Sequence, residues 1–235
     1  MWDGSRRRRS PSQADPSSII KVLVTINEIF YSVQGESTYA GRPCVFVRLT
    51  ACDLRCSWCD TPYAFHEGSK RAVADVVAEV ERYDCALVEV TGGEPLLQED
   101  VYPLMNELLA RGKTVLLETG GHRSTARVPE PVVTILDVKC PGSGEADRMD
   151  WENLNRLRPR DEVKFVIKDR VDYEYARDAI ARHNLATRAA AIHMSPVHGV
   201  LDPKTLSEWV LTDRLPVRVQ LQLHKYIWSA DTRGV

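Results

Sequence analysis

The sequence predicts an α/β protein built around a parallel sheet of about six strands, and three observations lead to this prediction. The chain has 235 residues, a length at which one compact domain can bury an adequate core. Hydrophobic residues make up 43% and charged residues 27%, close to the averages for globular proteins. From Ile19 onward, short β-branched runs alternate with segments of helical spacing, without a stretch of linker composition. We therefore expect right-handed βαβ units in a sheet that either stays open or curls into a barrel.

Six short apolar segments are predicted as the strands of this sheet. They are residues 45–49, 86–90, 114–118, 132–137, 163–167 and 189–194. A final strand is predicted over residues 217–223, where Val217, Val219, Leu221 and Leu223 alternate with polar residues. The count is short of the eight strands of a complete TIM barrel.

Amphipathic helices are predicted between the strands. Two of them are marked by apolar residues at positions i, i+3, i+4 and i+7, namely Val73, Val76, Val77 and Val80, and then Leu97, Val101, Leu104, Met105 and Leu108. Three later helices are predicted to begin at aspartates, which suit the N-cap position: Asp150, Asp172 and Asp202. Pro203 would then occupy the first helical position of the last one.

The first residues differ in composition from the rest of the chain. Residues 1–18 combine the run Arg6–Arg9 with Ser, Pro, Gln and Asp, so we expect a disordered basic leader before a single domain over residues 19–235. A basic arm that contacts RNA is the alternative for this leader. The net charge of −2 argues against a protein that coats nucleic acid. No apolar run reaches the ~18 to 20 residues that cross a bilayer, and no signal-peptide pattern is present, so we expect a cytoplasmic protein without a membrane partner.

Three of the six cysteines form the pattern C-x3-C-x2-C in the loop after the first predicted parallel strand. They are Cys52, Cys56 and Cys59, and their close spacing favours a metal site over a disulfide framework. Three thiolates in one loop can hold three irons of a cubane iron–sulfur cluster and leave the fourth iron open. A structural zinc ion, the alternative, would need a fourth ligand, and no second Cys or His pair occurs in the sequence. Cys44 and Cys85 are expected in the core, and the role of Cys140 is left open.

This spacing, with the aromatic Trp58 just before the last cysteine, resembles the radical S-adenosylmethionine (SAM) superfamily. The resemblance implies an incomplete TIM-like barrel and a [4Fe-4S] cluster on Cys52, Cys56 and Cys59 whose open iron takes the amino and carboxylate groups of SAM. Residues 91–95, Thr-Gly-Gly-Glu-Pro, resemble the GGEP motif of the superfamily. Two adjacent glycines at a strand end also permit close backbone approach, so a tight turn is the simpler interpretation of this motif alone.

Polar groups that follow the predicted strands are candidates for the same site, because barrel enzymes build their sites at the carboxyl ends of their strands. Each of these groups is otherwise an ordinary polar exit from a strand. The resemblance implies that SAM would contact Trp58, Cys59, Asp60, Gly93, Glu94, Asp137, Val138, Lys139, Ser195, Pro196 and Val197.

Further motifs resemble one family within the superfamily, 7-carboxy-7-deazaguanine synthase, over residues 26–235. They are Ser-Val-Gln-Gly-Glu at residues 32–36, Arg48, Cys-Asp-Thr at residues 59–61 and the run at residues 222–228. Substrate contacts implied by the resemblance are Val33, Gln34, Gly35, Glu36, Arg48, Thr91 and His224, with Thr61 as a ligand of Mg2+. A carboxylate can accept paired N–H groups from a pterin, and the guanidinium of Arg48 suits a substrate carboxylate.

The family implies the conversion of 6-carboxy-5,6,7,8-tetrahydropterin to 7-carboxy-7-deazaguanine with loss of ammonia, in the queuosine pathway. A 5′-deoxyadenosyl radical would take hydrogen from C6 of the pterin, and SAM would be regenerated. The resemblance also implies a homodimer and an external electron donor such as flavodoxin or ferredoxin.

One departure and two alternatives accompany this prediction. Ser37 follows Glu36 where the family often has glycine, which puts the conformation of this loop in question. An activase that installs a glycyl radical would share the cysteine spacing, but it would act on a large protein and would not need Gln34 and Glu36. A zinc-stabilised module that binds RNA through the arginine leader is the alternative from another class.

Overall fold

A computed structural model describes residues 22–230 and 232–235, and the predicted basic leader lies outside them. Nine strands form one sheet: β1 Leu23–Val33, β2 Pro43–Leu49, β3 Ser69–Ala72, β4 Leu87–Gly92, β5 Thr114–Thr119, β6 Val133–Asp137, β7 Glu162–Ile167, β8 Ala191–Pro196 and β9 Arg218–Val219. Seven α-helices of the described residues flank it: α1 Val73–Glu81, α2 Val101–Ala110, α3 Glu152–Asn155, α4 Arg170–Arg182, α5 Leu185–Arg188, α6 Pro203–Asp213 and α7 His224–Ile227.

The strand order is β3-β1-β2-β4-β5-β6-β7-β8-β9. The seven neighbouring strands β2, β4, β5, β6, β7, β8 and β9 are parallel to one another. All six predicted parallel strands are confirmed, and they follow one another in the sheet as they do in the chain. The sequence analysis missed β1 and β3, which pair antiparallel at one edge. The mostly parallel sheet with outer helices is an incomplete TIM-like barrel, as predicted.

Two groups of apolar side chains fill the space between sheet and helices. One joins strands β1, β2, β4, β5 and the start of β6 to helices α1 and α2, and includes the fully buried Val76 and Leu104. The other joins β6 to β8 to helices α4 and α6, and includes the fully buried Phe165 and Leu206. Burying such a side chain contributes roughly 1.5–3 kcal/mol. Among the described residues, no helix has both the length and the apolar character needed to span a bilayer.

The predicted helix starts are partly confirmed. Asp202 is the N-cap of α6, where its carboxylate accepts the N–H of Lys204 at 3.0 Å. The prediction for α4 is wrong by one turn, because Asp169 is its N-cap. Asp172 lies inside the helix, fully buried, and its carboxylate accepts the N–H of Gly142 at 2.7 Å. This tertiary contact uses the side chain that the sequence analysis assigned to capping.

Three other predicted elements are shorter than expected. Helix α2 begins at Val101, because Leu97 belongs to a separate 3-10 turn at Pro95–Leu97. The last strand ends at Val219, so the strand predicted over residues 217–223 is wrong beyond that residue. Gln220 and Gln222 instead direct their side-chain amides to the loop between β1 and β2. The helix predicted from Asp150 is the single turn α3, and the prediction of its N-cap is wrong, because Trp151 occupies that position. Asp150 does accept the N–H of Glu152, at 3.1 Å.

Candidate active site

A cavity of about 290 Å³ lies inside the half-barrel. The loop after β2, residues 50–61, borders it at the carboxyl ends of the parallel strands, and we call it the cysteine loop. The loop between β1 and β2, residues 34–42, borders it from the opposite end, because β1 runs antiparallel to β2. We call this second segment the floor loop.

The cavity wall contains most of the residues predicted for the site. These are Val33, Gln34, Gly35, Glu36, Arg48, Cys52, Cys56, Trp58, Cys59, Asp60, Thr61, Thr91, Gly93, Glu94, Asp137, Lys139, Val197 and His224. Val138, Ser195 and Pro196 lie outside the wall. The fully buried side chain of Val138 belongs to the apolar core instead, and its N–H donates to the carbonyl of Lys164 at 2.8 Å.

The three loop cysteines are free thiols that line the cavity. Burial raises the pKa of Cys52 to about 11, so this thiol must release its proton when it binds a metal cluster. Within residues 22–230 and 232–235, no three Cys, His, Asp or Glu side chains converge on a single metal ion. Thiolates of an iron–sulfur cluster bind separate irons, so they need to lie around the cluster rather than converge. Three free thiols around one cavity fit a [4Fe-4S] cluster with an open iron.

Gly93 of the Gly-Gly-Glu-Pro segment packs directly against the start of the cysteine loop. A Cβ at Gly93 would lie 2.4 Å from the carbonyl oxygen of Ala51 and 2.7 Å from the Cβ of Cys52, both closer than real contacts. The N–H of Glu94 donates to that same carbonyl at 2.8 Å. Ala51 has a φ of +80°, a conformation that non-glycine residues rarely adopt. The end of β4 therefore supports a strained start of the cysteine loop.

Glu94 serves as a fixed link between strands. Its fully buried carboxylate accepts hydrogen bonds from the hydroxyl of Thr119 and the N–H groups of Leu96 and Gly120, each at 2.9 Å. Nε2 of the nearly buried His122 donates to the carboxylate of Asp53, next to Cys52, at 2.6 Å. These contacts tie the ends of β4 and β5 to the cysteine loop.

At the end of β6, Asp137 presents an unused hydrogen-bond acceptor. Its Oδ2 lies 2.8 Å from Nζ of Lys139, while its buried Oδ1 has no hydrogen-bond partner among the described residues. An unpaired buried carboxylate oxygen is costly, and a ligand with hydroxyl or amino donors satisfies it. This side of the cavity therefore fits the polar groups of SAM.

The floor loop carries two side chains that point into the cavity. The Gln34 amide donates to the buried carboxylate of Glu89. Glu36 lies 3.0 Å from Nζ of Lys164 and accepts a hydrogen bond from Gln222 at 2.9 Å. Burial raises the pKa of Glu36, but the cation of Lys164 and the hydrogen bonds from Gln222 and Lys164 together lower it more, so the pKa lies below its usual value and the side chain is ionised at neutral pH.

Lys164 is the central cation of the cavity. It contacts Glu118 and Glu36 and lies 3.7 Å from Asp137. Burial lowers its pKa, but these carboxylates raise it more, and the pKa is well above its usual value. Burial and the nearby Glu118 carboxylate raise the pKa of Glu89 well above its usual value. Four carboxyl groups thus surround the cation of Lys164, and their oxygens suit a ligand edge rich in N–H donors.

Lys164 and Glu89 were not predicted as site residues from the sequence. A signal was present, because both missed residues interrupt predicted strands of otherwise apolar character. In a barrel, alternate strand residues face the interior, so a charged residue within a buried strand is a candidate for the site.

Arg48 is already part of an ion pair. Its Nε donates to Glu28 at 2.8 Å, and the hydroxyl of Tyr63 donates to the same carboxylate at 2.9 Å. The side chain also borders the cavity. A substrate carboxylate in the cavity could therefore pair with the terminal nitrogens of this guanidinium.

The end of the cysteine loop is joined to the last helix. The carboxylate of Asp60 lies 2.7 Å from Nζ of Lys225, which follows His224 in α7. Burial raises the pKa of Asp60, but Lys225 lowers it more, so this carboxylate is ionised. The hydroxyl of Thr61 lies 3.9 Å from Sγ of Cys59. An oxygen beside an ionised carboxylate suits a hard cation such as Mg2+.

His224 packs against Gly35 of the floor loop. A Cβ at Gly35 would lie 2.3 Å from Nδ1 of the imidazole, so only glycine leaves room for the ring. Burial lowers the pKa of His224, which favours a neutral imidazole at pH 7. The neutral ring has one donor and one acceptor for a ligand in the cavity.

Comparison with known proteins identifies the family of this chain. Residues 47–182 match the Radical SAM superfamily. The chain is 50% identical over 224 residues to the 7-carboxy-7-deazaguanine synthase of Koribacter versatilis, and the aligned region covers 89% of this chain and 99% of that protein. It is 46% identical over 216 residues to the 7-carboxy-7-deazaguanine synthase of Chlorobaculum tepidum, covering 90% of this chain and 97% of that protein.

Solved structures agree at the level of the fold. Escherichia coli QueE has a TM-score of 0.71 at 21% identity, over 85% of this chain and 94% of that one. Streptococcus suis SuiB bound to S-adenosylmethionine has a TM-score of 0.52 at 12% identity, over 73% of this chain and 44% of that one. Together with the curated relatives, these matches show that the chain belongs to the radical SAM superfamily and, within it, to the 7-carboxy-7-deazaguanine synthase family.

Proposed function

We propose that this protein converts 6-carboxy-5,6,7,8-tetrahydropterin to 7-carboxy-7-deazaguanine with loss of ammonia, as a radical SAM enzyme. The observation that carries the proposal is a single cavity with three free thiols at one end and Gln34, Glu36 and Lys164 at the other. When bound there, the cluster and SAM would supply the radical that removes a hydrogen atom from the substrate.

The residues of the chain would bind and orient the pterin. Its guanidine-like edge presents N–H donors, which the ionised Glu36 accepts, while Gln34 has both a donor and an acceptor. Lys164 lowers the pKa of Glu36 and so keeps this carboxylate ionised as an acceptor. Arg48 would pair with the substrate carboxylate, and Thr91 and His224 would complete the wall. Correct placement of the reacting carbon is the main contribution that such a protein makes to the reaction.

Thr61 is proposed as a ligand of Mg2+, with substrate oxygens and water as the other ligands. Mg2+ prefers oxygen and keeps several waters, so a single hydroxyl suffices as the protein contribution. The neighbouring Asp60 carboxylate would favour a cation at this position. Bound beside the substrate carboxylate, the ion would act as a Lewis acid and a template.

SAM is proposed to lie between the cysteine loop and the ends of β4, β6 and β8. Asp137 would accept donors of the cofactor through its unpaired Oδ1. Trp58, Gly93, Lys139 and Val197 would form the surrounding wall. Glu94 would act through the backbone it fixes, because its own oxygens are already hydrogen bonded to protein groups.

We propose that an external donor such as flavodoxin or ferredoxin reduces the cluster, and that the protein acts in the cytoplasm. A reducing compartment would keep its six free cysteines reduced. We also propose a homodimer. Tyr226 and Ile227, 54% and 55% exposed, give apolar surface beside the cavity that a second copy would cover.

The test is an anaerobic assay after reconstitution with iron and sulfide. Reductant, SAM, Mg2+ and 6-carboxytetrahydropterin are added, and 7-carboxy-7-deazaguanine is measured by mass spectrometry. Product is expected with the wild-type protein and not with Cys56→Ala. Cys85→Ala, which removes a buried thiol outside the cysteine loop, is the matched control and should form product.

Three outcomes separate the alternatives. Accumulation of 5′-deoxyadenosine without the deazapurine would retain the radical chemistry and reject the pterin as substrate, as expected of an activase that modifies a protein. Zinc in place of iron after reconstitution would reject the radical chemistry as well. Omission of Mg2+ should lower the rate of product formation if Thr61 holds this ion.

A further inference from the structure

Ser37, which follows Glu36 in the floor loop, has a backbone conformation that disfavours any residue except glycine. The φ of Ser37 is +64°, in the left-handed region, and Ser37 is only 2% exposed. In this region the Cβ of an L-residue crowds the following carbonyl oxygen, so some other group must hold the backbone there.

The side chain of Gln220 supplies such a group. Its Oε1 accepts the N–H of Ser37 at 2.8 Å, and its Nε2 donates to the carbonyl oxygen of Ser37, also at 2.8 Å. One amide therefore binds both backbone polar groups of the same residue. This pairing fixes the orientation of both peptide planes that flank Ser37.

The residues next to Gln220 continue the contact along the floor loop. Gln222 donates to the carboxylate of Glu36 at 2.9 Å, and the N–H of Leu223 donates to the carbonyl oxygen of Gly35 at 3.1 Å. Residues 220–223 therefore lie alongside residues 35–37 and run in the opposite direction. The peptide plane between Glu36 and Ser37, which Gln220 holds, determines where the Glu36 side chain starts.

We propose that Gln220 is a positioning residue for substrate binding, which holds Ser37 in the left-handed conformation so that Glu36 points into the cavity. Gln220 lies outside the cavity wall and acts through Glu36. The inference rests on the proposed function, because it assumes that Glu36 binds the pterin. It also gives a reason why this chain tolerates serine at a position where glycine would need no support.

The test compares Gln220→Ala with Arg218→Ala, an exposed side chain two residues earlier on the same segment. Loss of two hydrogen bonds to a buried backbone should raise the KM for the pterin about tenfold, with kcat changed less than about threefold. The affinity for SAM should not change, because the cysteine loop lies at the other end of the cavity. Arg218→Ala should leave both constants as in the wild type.

The double variant Ser37→Gly/Gln220→Ala separates positioning from a general loss of stability. Glycine adopts a positive φ without support. The KM of the double variant should therefore return most of the way from the raised value of Gln220→Ala to the wild-type value. A merely structural role for Gln220 predicts no recovery. An unchanged KM in Gln220→Ala, or failure of Ser37→Gly to restore it, would overturn the proposal.

Hydrogen–deuterium exchange of the free protein keeps this test independent of the reaction. The amide of Ser37 should exchange faster in Gln220→Ala than in the wild type or Arg218→Ala, whereas the cysteine loop should be unaffected. If the wild type forms no deazapurine, the proposed function fails and this exchange still decides whether Gln220 holds Ser37. Equal exchange at Ser37 in all three proteins would refute the positioning role.

Discussion

Gly35 shows how a missing side chain can define a binding site. The imidazole of His224 occupies the space that a Cβ of Gly35 would need, at 2.3 Å from Nδ1. We expect Gly35→Ala to push the ring into the cavity. Overpacking of this kind costs about 1–3 kcal/mol, so the KM for the pterin should rise about tenfold or more.

A double-mutant cycle checks the cause of this effect. If the clash with the ring is responsible, Gly35→Ala should cost little in a protein that already carries His224→Ala. KM and the affinity for SAM are measured for the four proteins. Equal losses from Gly35→Ala in both backgrounds would show that the floor loop itself, and not the ring, responds to the extra methyl group.

At the scale of elements, the end of β4 determines the shape of the cysteine loop. A Cβ at Gly93 would meet the backbone of Ala51 at 2.4 Å, and backbone atoms have little freedom to move. We expect Gly93→Ala to displace Cys52 and to lower the iron and sulfide bound per chain after reconstitution to less than about half. Metal analysis and the visible absorption of the cluster measure this.

Gly112→Ala is the matched control for Gly93→Ala. Gly112 has a φ of +73° with no atom within 4 Å of the added Cβ, so this variant introduces backbone strain without a clash. It should cost about 1 kcal/mol of folding free energy and leave the iron content unchanged. A loss of iron in both variants would mean that general destabilisation, not the position of Cys52, controls cluster binding.

The floor loop is also attached to β7 and β8, through a buried acid. The carboxylate of Glu162 accepts the N–H of Thr38 at 3.0 Å and contacts Nε2 of His193 at 2.6 Å. Burial raises the pKa of Glu162, but His193 and Thr38 lower it more, so the folded pKa lies below 4.5. The stabilisation is therefore present above pH 4.5 and is lost as the pH falls through the folded pKa.

We expect Glu162→Gln to lower the free energy of unfolding by about 2 kcal/mol at pH 7, because hydrogen bonds to a buried charge are lost. The difference from the wild type should shrink as the pH falls below 4.5, where Glu162 begins to take up a proton. Denaturant unfolding between pH 3 and pH 7 measures it. Glu107→Gln, an exposed acid on α2, should show no such difference, and a gap that stays constant with pH would contradict this explanation.

The same elements show how far the sequence predicts the fold. Strands β6 and β7 are completely buried, and their largely apolar segments were recognised as parallel strands. Strand β1 was missed because it has partly buried residues at most positions, which gives neither a continuous apolar run nor a clean alternation. The cap of α4 was misplaced because Asp169 and Asp172 are chemically equivalent in sequence, and only the contact with Gly142 distinguishes them.

For the site, sequence motifs predict the residues near each other in the chain better than those that the fold brings together. The cysteine loop and the segment around Gly93 are local patterns, and both lie on the cavity as predicted. Lys164 and Gln220 act on residues more than a hundred positions away, so their partners appear only when the sheet has formed. Nothing in the local sequence marks a lysine in a buried strand as a partner of Glu36.

At the scale of the whole molecule, residues 220–230 connect the two ends of an incomplete barrel. Strands β3 and β9 are the outer strands of the described sheet, so hydrogen bonds between strands do not close it. Beyond β9, Leu223 bonds to Gly35 of the floor loop, and Lys225 pairs with Asp60 of the cysteine loop. This closing segment therefore joins the last parallel strand to both loops that border the cavity.

The pair between Lys225 and Asp60 should consequently protect the cluster from oxygen. Lys225 is 9% exposed and Asp60 43% exposed, so solvent screens the pair and it contributes about 0.5–1 kcal/mol. Lys225→Met should make opening of the closing segment about threefold more frequent, and the cluster should lose its colour in air about threefold faster. Lys204→Met, at an exposed lysine of α6 that pairs with Glu208, is the matched control and should bleach at the wild-type rate. Equal bleaching rates in all three proteins would show that oxygen reaches the cluster by a route that this segment does not cover.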